Sequence, residues 1–299
     1  MERDGRFNRA ERIIRIGFWI NAGLMVMKLA AGYWGHSAAV FADGIESGCD
    51  FVAIFGTLYA LRLGREPFDE RHPYGHGRAE SLAAMLVALL IVLTGLWILW
   101  EAVSAIIGQH LSRPEPVAIG AALATIVIKE LLYRYTISAG MSLHSPALTA
   151  VAADHRKDAL TSVATLVGVS GASLGWTLLD PLAAALTAFF ILHIGWQTFR
   201  SAAHDLMDGA APASFNQRVI ELTESVAQVE HVHEIRTRRS GQYYIIDLKL
   251  DMDPTMTVKE SHDVATAVKR LIFEQFPNVG DVMIHINPHD EAHEDLIRL

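Results

Sequence analysis

The chain has 299 residues, 51% hydrophobic and 19% charged, with a formal net charge of -8. That acidity excludes nucleic acid as the partner, and a single cysteine, Cys49, excludes both an internal disulfide framework and a multi-cysteine zinc motif. A mean hydropathy of +0.26 is that of a membrane protein rather than a soluble domain, and fourteen histidines, many beside acidic residues, point towards metal.

Five arginines, Arg3, Arg6, Arg9, Arg12 and Arg15, precede a first apolar span over 17–35, which is not the pattern of a cleavable signal. A second span is expected over 38–61. The third, SLAAMLVALLIVLTGLWILW at 81–100, is uncharged over about the length that crosses a hydrocarbon core. A fourth covers 117–133, a fifth runs from about 148 to 179, and a sixth from 181 to about 196, with Asp180 between the last two. Two of these six escape strict hydropathy because they contain acids or end in charged residues. Loops on one side carry Arg62, Arg65, Arg71 and Arg78, then Lys129 and Arg134, whereas those around Gly35, Gly108 and Leu179 carry only Arg113. By the positive-inside rule both termini are expected to be cytoplasmic.

After about 206 the pattern becomes that of a soluble domain. An amphipathic helix is predicted over 215–227, and strands over 232–239 and 242–252 form a hairpin about Ser240-Gly241. A second helix over 257–276 has Thr257 as N-cap, and DVMIHIN at 281–287 is a third strand. The expected organisation is a transmembrane domain over 1–205 and a small cytoplasmic α+β domain over 206–299, with no fold assigned from Pro288 onwards.

Charge inside the spans is the informative feature. In the second span Glu46 and Asp50 are four residues apart and share a helical face, with Asp43 a turn earlier; in the fifth, Asp154 and Asp158 repeat that spacing. His155 points about a quarter of a turn away. Carboxylates at membrane depth are costly and need a partner or a water-filled path. One alternative is that they pair with Arg156, Lys157 or Lys28 and hold helices together. Two facing acidic pairs at one offset fit a metal site better. The segments also resemble each other, His36-Ser37 preceding Glu46 as His144-Ser145 precedes Asp154, which suggests an inverted repeat with the site at its interface.

The loop DERHPYGHGRAE at 69–80 offers Asp69, His72 and His76, a donor set suited to zinc or a similar divalent ion; the alternative is a solvated loop with histidines bonded to backbone. In the soluble part His231 and His233 open the first strand, His262 lies on the second helix and His285 near the end of the last strand. His289 and His293 follow. Alternation puts His231 and His233 on one face, from which His285 is expected to meet His233 across a sheet.

These motifs are the acidic-xxx-Asp of the second span, HPYGHGRAES after it, DHRKDALTSV of the fifth span and RTRRSG in the soluble part. Together they run through almost the whole chain and resemble those of the cation diffusion facilitators, divalent metal exporters that exchange metal for protons. The resemblance implies a homodimer in the lipid bilayer, six transmembrane helices per protomer and a C-terminal ferredoxin-like α+β cytoplasmic domain. It places the transport site on Glu46, Asp50, Asp154 and Asp158, a loop site on Asp69, His72 and His76, and a cytoplasmic cluster on His233, His262 and His285. It also matches Arg78 with Asp208 as an interlocking salt bridge.

Two departures from the family pattern matter. Many zinc exporters carry histidine where this chain has Glu46 or Asp154, and an all-carboxylate site favours manganese or iron(II), although zinc and cobalt also bind carboxylates. In the cytoplasmic cluster Lys249 stands where a ligand is usual and Asn287 where an aspartate is usual. A lysine cation repels a metal, which argues against a full two-metal cluster there. The reading that results is a divalent-metal/proton antiporter of a bacterial-type inner membrane, working by alternating access. A metal-binding scaffold or sensor without transport is the alternative, and an intramembrane metalloenzyme finds no substrate-pocket motif.

Overall fold

The computed structural model describes residues 2–109, 111–143 and 145–289. His144 and His293 therefore lie outside the described residues. By compactness the chain divides into two units, one of residues 1–55 and 87–197 and another of residues 56–86 and 198–299.

Six long helices form: α1 (Glu2–Trp34), α2 (Ala38–Gly64), α3 (Arg78–Ile107), α4 (Pro116–Leu143), α5 (Pro146–Ser173) and α6 (Leu179–Leu206). Four of them, α1, α3, α4 and α6, are long and apolar enough to cross a membrane by composition alone. The other two, α2 and α5, are 27 and 28 residues long and fall short because they carry charges, the acids in both and Arg156 and Lys157 in α5. The helices outrun the predicted spans. Lys129 and Arg134, expected in a loop, lie inside α4, since helical hydrogen bonding does not stop at the edge of an apolar run.

The first unit is packed inside out relative to a soluble bundle. Its buried positions are small, with Ala39, Ala118 and Ala188 fully enclosed, while Trp100, Leu160 and Phe189 are 61–70% exposed, as suits a surface facing lipid. Ala42 of α2 packs with Ile91 and Ile98 of α3 and Ala188 and Ile191 of α6. Val40, one turn-half earlier on α2, joins Ala31 of α1, Ala118 and Ala122 of α4 and Val169 of α5. Helix α2 is thus shared by both clusters. It approaches α1 so closely that a Cβ on Gly44 would stand 2.9 Å from the Leu29 amide nitrogen. Only glycine fits there.

The start of α2 is capped from another helix. Asp180, at the start of α6 and 4% exposed, accepts from Ser37 Oγ and the Ala38 amide at 2.6 Å each, and from the Ala39 amide at 3.4 Å. A carboxylate beside the free N–H groups of a helix start completes bonds the helix itself lacks.

The second unit contains α7 (Ala213–Glu224), β1 (His231–Ser240), β2 (Tyr243–Met252), α8 (Val258–Gln275) and β3 (Val279–Pro288). The sheet order is β1-β2-β3, with β1 antiparallel and β3 parallel to β2. Central strand β2 buries Ile246, Leu248, Leu250 and Met252 at alternate positions, and these meet Val219 of α7 and Val268 and Ile272 of α8. Gly241 opens the hairpin turn with φ +60°, the conformation a two-residue turn asks of its first central residue. Thr257 and Glu260 close a capping box at the start of α8. The expected α-β-β-α-β order is present.

Replacing Asp180 by alanine is expected to lower the unfolding free energy by about 1–3 kcal/mol, because three donors, two of them buried, lose their acceptor. Ser37→Ala, which removes one of the three, is expected to cost less. Thermal unfolding in detergent followed by tryptophan fluorescence ranks the two.

Candidate functional site

Both acid-bearing helices start on a serine cap. Ser37 Oγ accepts from the Val40 amide at 3.2 Å and Ser145 Oγ from the Leu148 amide at 3.4 Å. Glu46 and Asp154 each stand nine residues past their cap. At 1.5 Å per residue that is about 13–14 Å along the helix, roughly half the thickness of a hydrocarbon core. The shared offset from the serine therefore has a structural content: it sets both acid pairs the same distance from their helix starts.

The acids do not share one environment. Asp43 is committed to structure: its Oδ1 receives Lys28 Nζ at 2.9 Å and its Oδ2 receives Ser162 Oγ at 3.1 Å, tying α1, α2 and α5 together. Asp158 Oδ2 receives Lys129 Nζ of α4 at 2.6 Å. Glu46 lies within the electrostatic reach of Asp43, Asp50 and Asp158, and Asp50 within that of Asp158. Asp154 is exposed and is not among the charges acting on either. Among the described residues, no three of Glu46, Asp50, Asp154 and Asp158 bring ligand atoms within 4.8 Å of one another. Carboxylates repel one another, and a lysine already holds one of them.

Arg156 turns away and stacks 4.6 Å over the Tyr133 ring, whereas Lys157 remains close enough to act on Asp50. His155 is buried, with Nε2 beside Gly17 of α1 and without a hydrogen-bond partner. Lys129 is the residue that sequence reasoning misplaced. Its signal was a lone lysine directly after the apolar run ALATIVI, read as a loop charge.

The loop donors converge. Asp69, His72 and His76 offer ligand atoms all within 4.8 Å of one another, a distance that one divalent ion can bridge. The His72 and His76 rings lie 4.4 Å apart between centroids. His76 Nδ1 is 3.1 Å from the Pro67 carbonyl, which only accepts, so that bond needs the proton on Nδ1, and Nε2 lies 3.7 Å from Asp69 Oδ2. Asp69 Oδ1 accepts the amides of His72 and Arg71 at 2.5 and 2.9 Å, and these bonds hold its carboxyl below the usual carboxylate range. Gly75, at φ +78°, makes the turn between the two histidines. At the end of this loop Arg78 pairs with Asp208, as the family pattern implied.

The cytoplasmic histidines depart from expectation. His233, His262 and His285 are all exposed, and within this chain they form no group of three with ligand atoms within 4.8 Å among the described residues. The reason is strand order. β2 separates β1 from β3, and a register shift between Val232 and Glu234 interrupts the alternation at His233. Lys249 is the residue opposite both Glu234 and His285, and its Nζ is 2.7 Å from Glu234 Oε2. His233 faces Asp251 at 3.6 Å instead.

Six long helices with small residues inside, acids within α2 and α5 and an appended α+β unit define an integral membrane protein of the metal-transporting class. Residues 14–207 match the cation efflux transmembrane domain, and residues 211–289 match the cation efflux protein cytoplasmic domain. The chain belongs to the cation efflux family, the cation diffusion facilitators. It is 35% identical over 289 residues to the manganese efflux system protein MneP of Bacillus subtilis, covering 94% of this chain and 97% of that one. It is 30% identical over 282 residues to the magnetosome protein MamB of Magnetospirillum gryphiswaldense, covering 94% and 95%. With metal tolerance protein C1 of Arabidopsis thaliana it shares 34% identity over 296 residues, covering 93% of this chain and 62% of the relative. Metal cation efflux is the activity of this family.

The lowered pKa of Asp69 sets a pH window for the loop. A depressed folded-state pKa contributes stability that is present above the unfolded value and lost as pH falls through the folded one. Amide protection factors over 69–77, the exchange rates corrected for their intrinsic pH dependence, are therefore expected to hold from neutral pH through the ordinary carboxylate range. They should fall only below that range, and Asp69→Asn should remove the transition.

Proposed function

We propose that the chain exports divalent transition-metal ions in exchange for protons, with manganese foremost, by alternating access at Glu46, Asp50, Asp154 and Asp158. The observation that carries this reading is the pair of acid i,i+4 motifs at one depth on α2 and α5. Oxygen-only donors suit manganese and iron(II) relative to sites containing imidazole, and the likeness to a manganese efflux protein supports the same choice. Zinc and cobalt remain substrates that carboxylates bind.

In this scheme metal enters from the cytoplasmic side and is held as the carboxylates lose their protons. It leaves on the far side, where protons rebind. Metal and protons compete for the same oxygens, so uptake of one drives release of the other. Closure of Glu46, Asp50 and Asp158 around an ion is favoured because the cation cancels their mutual repulsion. The loop group Asp69, His72 and His76 is a second metal site, better suited to zinc than the carboxylates are. We place residues 1–205 in a bacterial inner membrane, and residues 206–299 in the cytoplasm as a dimerising unit, with both termini cytoplasmic. That orientation rests on the arginines in the first half of α1 and between α2 and α3, since Lys129 is no longer a loop charge.

The competing reading is a metal-binding scaffold without transport. Its support is that Lys129 already holds Asp158 and that the four carboxylates are not drawn together. Proteoliposomes loaded with a proton gradient and offered manganese, iron(II), zinc or cobalt separate the two. Export predicts metal flux that collapses the gradient and is abolished in Asp50→Ala and Asp158→Ala, with the dimer still folded. Metal binding without flux in the wild type supports the scaffold, and retained flux in either variant sinks the site assignment. His76→Ala is expected to lower zinc stoichiometry in equilibrium dialysis by about one ion per chain, since three-ligand sites seldom survive loss of one donor.

A further inference from the structure

Lys129 lies mid-way along α4 and is 4% exposed. Its ammonium donates to Asp158 Oδ2 at 2.6 Å, and the two side chains are 5% and 26% exposed respectively. The ion pair is therefore closed on the lysine side and open on the carboxylate side. Lys129 also acts electrostatically on Asp50 and His155.

A second intramembrane lysine, Lys28, is built differently. Lys28 Nζ has Asp43 Oδ1 and Ser47 Oγ at 2.9 Å and the Asp43 carbonyl at 3.5 Å, three acceptors for its three donors. Asp43 is filled from its far side by Ser162 as well. That network is saturated and leaves no oxygen for an incoming ion. Lys129, among the described residues, has one hydrogen-bond partner, and that partner is a carboxylate with an open side. Moving Lys28 breaks a network, whereas moving Lys129 breaks one pair. A desolvated ammonium–carboxylate pair roughly offsets its own desolvation cost, so it is not a deep trap.

We propose that Lys129 is the resident counter-cation of the transport site, its ammonium and the transported ion taking turns on Asp158. This rests on the reading that Asp158 is a metal ligand. A divalent ion and an ammonium group repel each other, so the metal takes Asp158 only as Lys129 withdraws, and the returning lysine helps expel it. Lys129 thereby lowers metal affinity and speeds release. It is a positioning residue: its ammonium touches Asp158 and not the metal, on which it acts only by repulsion from that seat.

The test uses the full-length protein, with Mn2+ binding measured by calorimetry in detergent and initial transport rates in proteoliposomes. Wild type is compared with Lys129→Met and Lys129→Arg, and Asp50→Asn and Asp158→Asn are run alongside. Removing a positive charge a few ångströms from the ligands is expected to tighten Mn2+ binding at least about tenfold. KM should fall with it, and turnover should fall because release slows, while Lys129→Arg restores wild-type affinity. A merely structural lysine would give weaker binding, or a loss of turnover at constant KM. Equal or weaker Mn2+ affinity in a folded Lys129→Met overturns the proposal, and Lys129→Gln is read by the same criterion should the methionine variant not fold. Wild-type binding and flux in both aspartate variants would overturn the transport site itself. Loss of flux there, with unchanged affinity in Lys129→Met, overturns the role of Lys129 alone.

Discussion

A carboxylate half-way through a bilayer has to be neutralised by something, because neither lipid nor the helix backbone offers a donor. The rest of the transmembrane domain is arranged around that demand. Lys28 on α1 and Ser162 on α5 converge on Asp43 of α2, so one buried acid fixes the mutual placement of three helices. Lys129 on α4 reaches Asp158 of α5 and fixes a fourth. The small residues of the interior are the steric side of the same arrangement. Gly44 lets α2 lie against α1 at Leu29, and without that approach the ammonium of Lys28 would not reach Asp43.

Neutralisation leaves the remaining acids with a distinct character. Neither Glu46 nor Asp50 is held by a lysine ion pair among the described residues; both lie near the Asp158 carboxylate, with Lys28 in reach of each and Lys129 and Lys157 in reach of Asp50. Such a group is poor at holding helices together and well suited to holding a mobile cation. The contrast lies in one stretch of α2: Asp43 is tied to Lys28 and Ser162, whereas Glu46 and Asp50, one and two turns later, carry no such bonds among the described residues. Asp180 solves the related problem at the end of the same helix, where the unpaired charge is the partial positive charge of free amides.

Much of this was legible in the residue order. Spacing of four between acids is a local property of a helix, so the shared face of Glu46 with Asp50, and of Asp154 with Asp158, needed no tertiary information. Thr257 announced the start of α8 for the same reason, since an N-cap and the amide it serves lie within four residues. The loop donors Asp69, His72 and His76 lie close in sequence, and the proline and glycine between them allow one turn to bring them together. The cytoplasmic histidines were less legible. His233 and His285 sit on different strands, and their separation depended on which strand is central and on a register shift that composition does not reveal.

The order of residues alone determined that six stretches become long helices, that acids interrupt two of them at equal depth, and that an α+β unit follows. These properties follow from hydropathy, helical period and turn chemistry, all set within a few residues. Which acid meets which lysine was decided only in the tertiary structure. Asp43 and Ser162 are 119 positions apart and Lys129 and Asp158 are 29 apart, so their contacts depend on how helices lie side by side in the bundle. That lateral arrangement turned Lys129 from an apparent loop charge into the cation seated on Asp158.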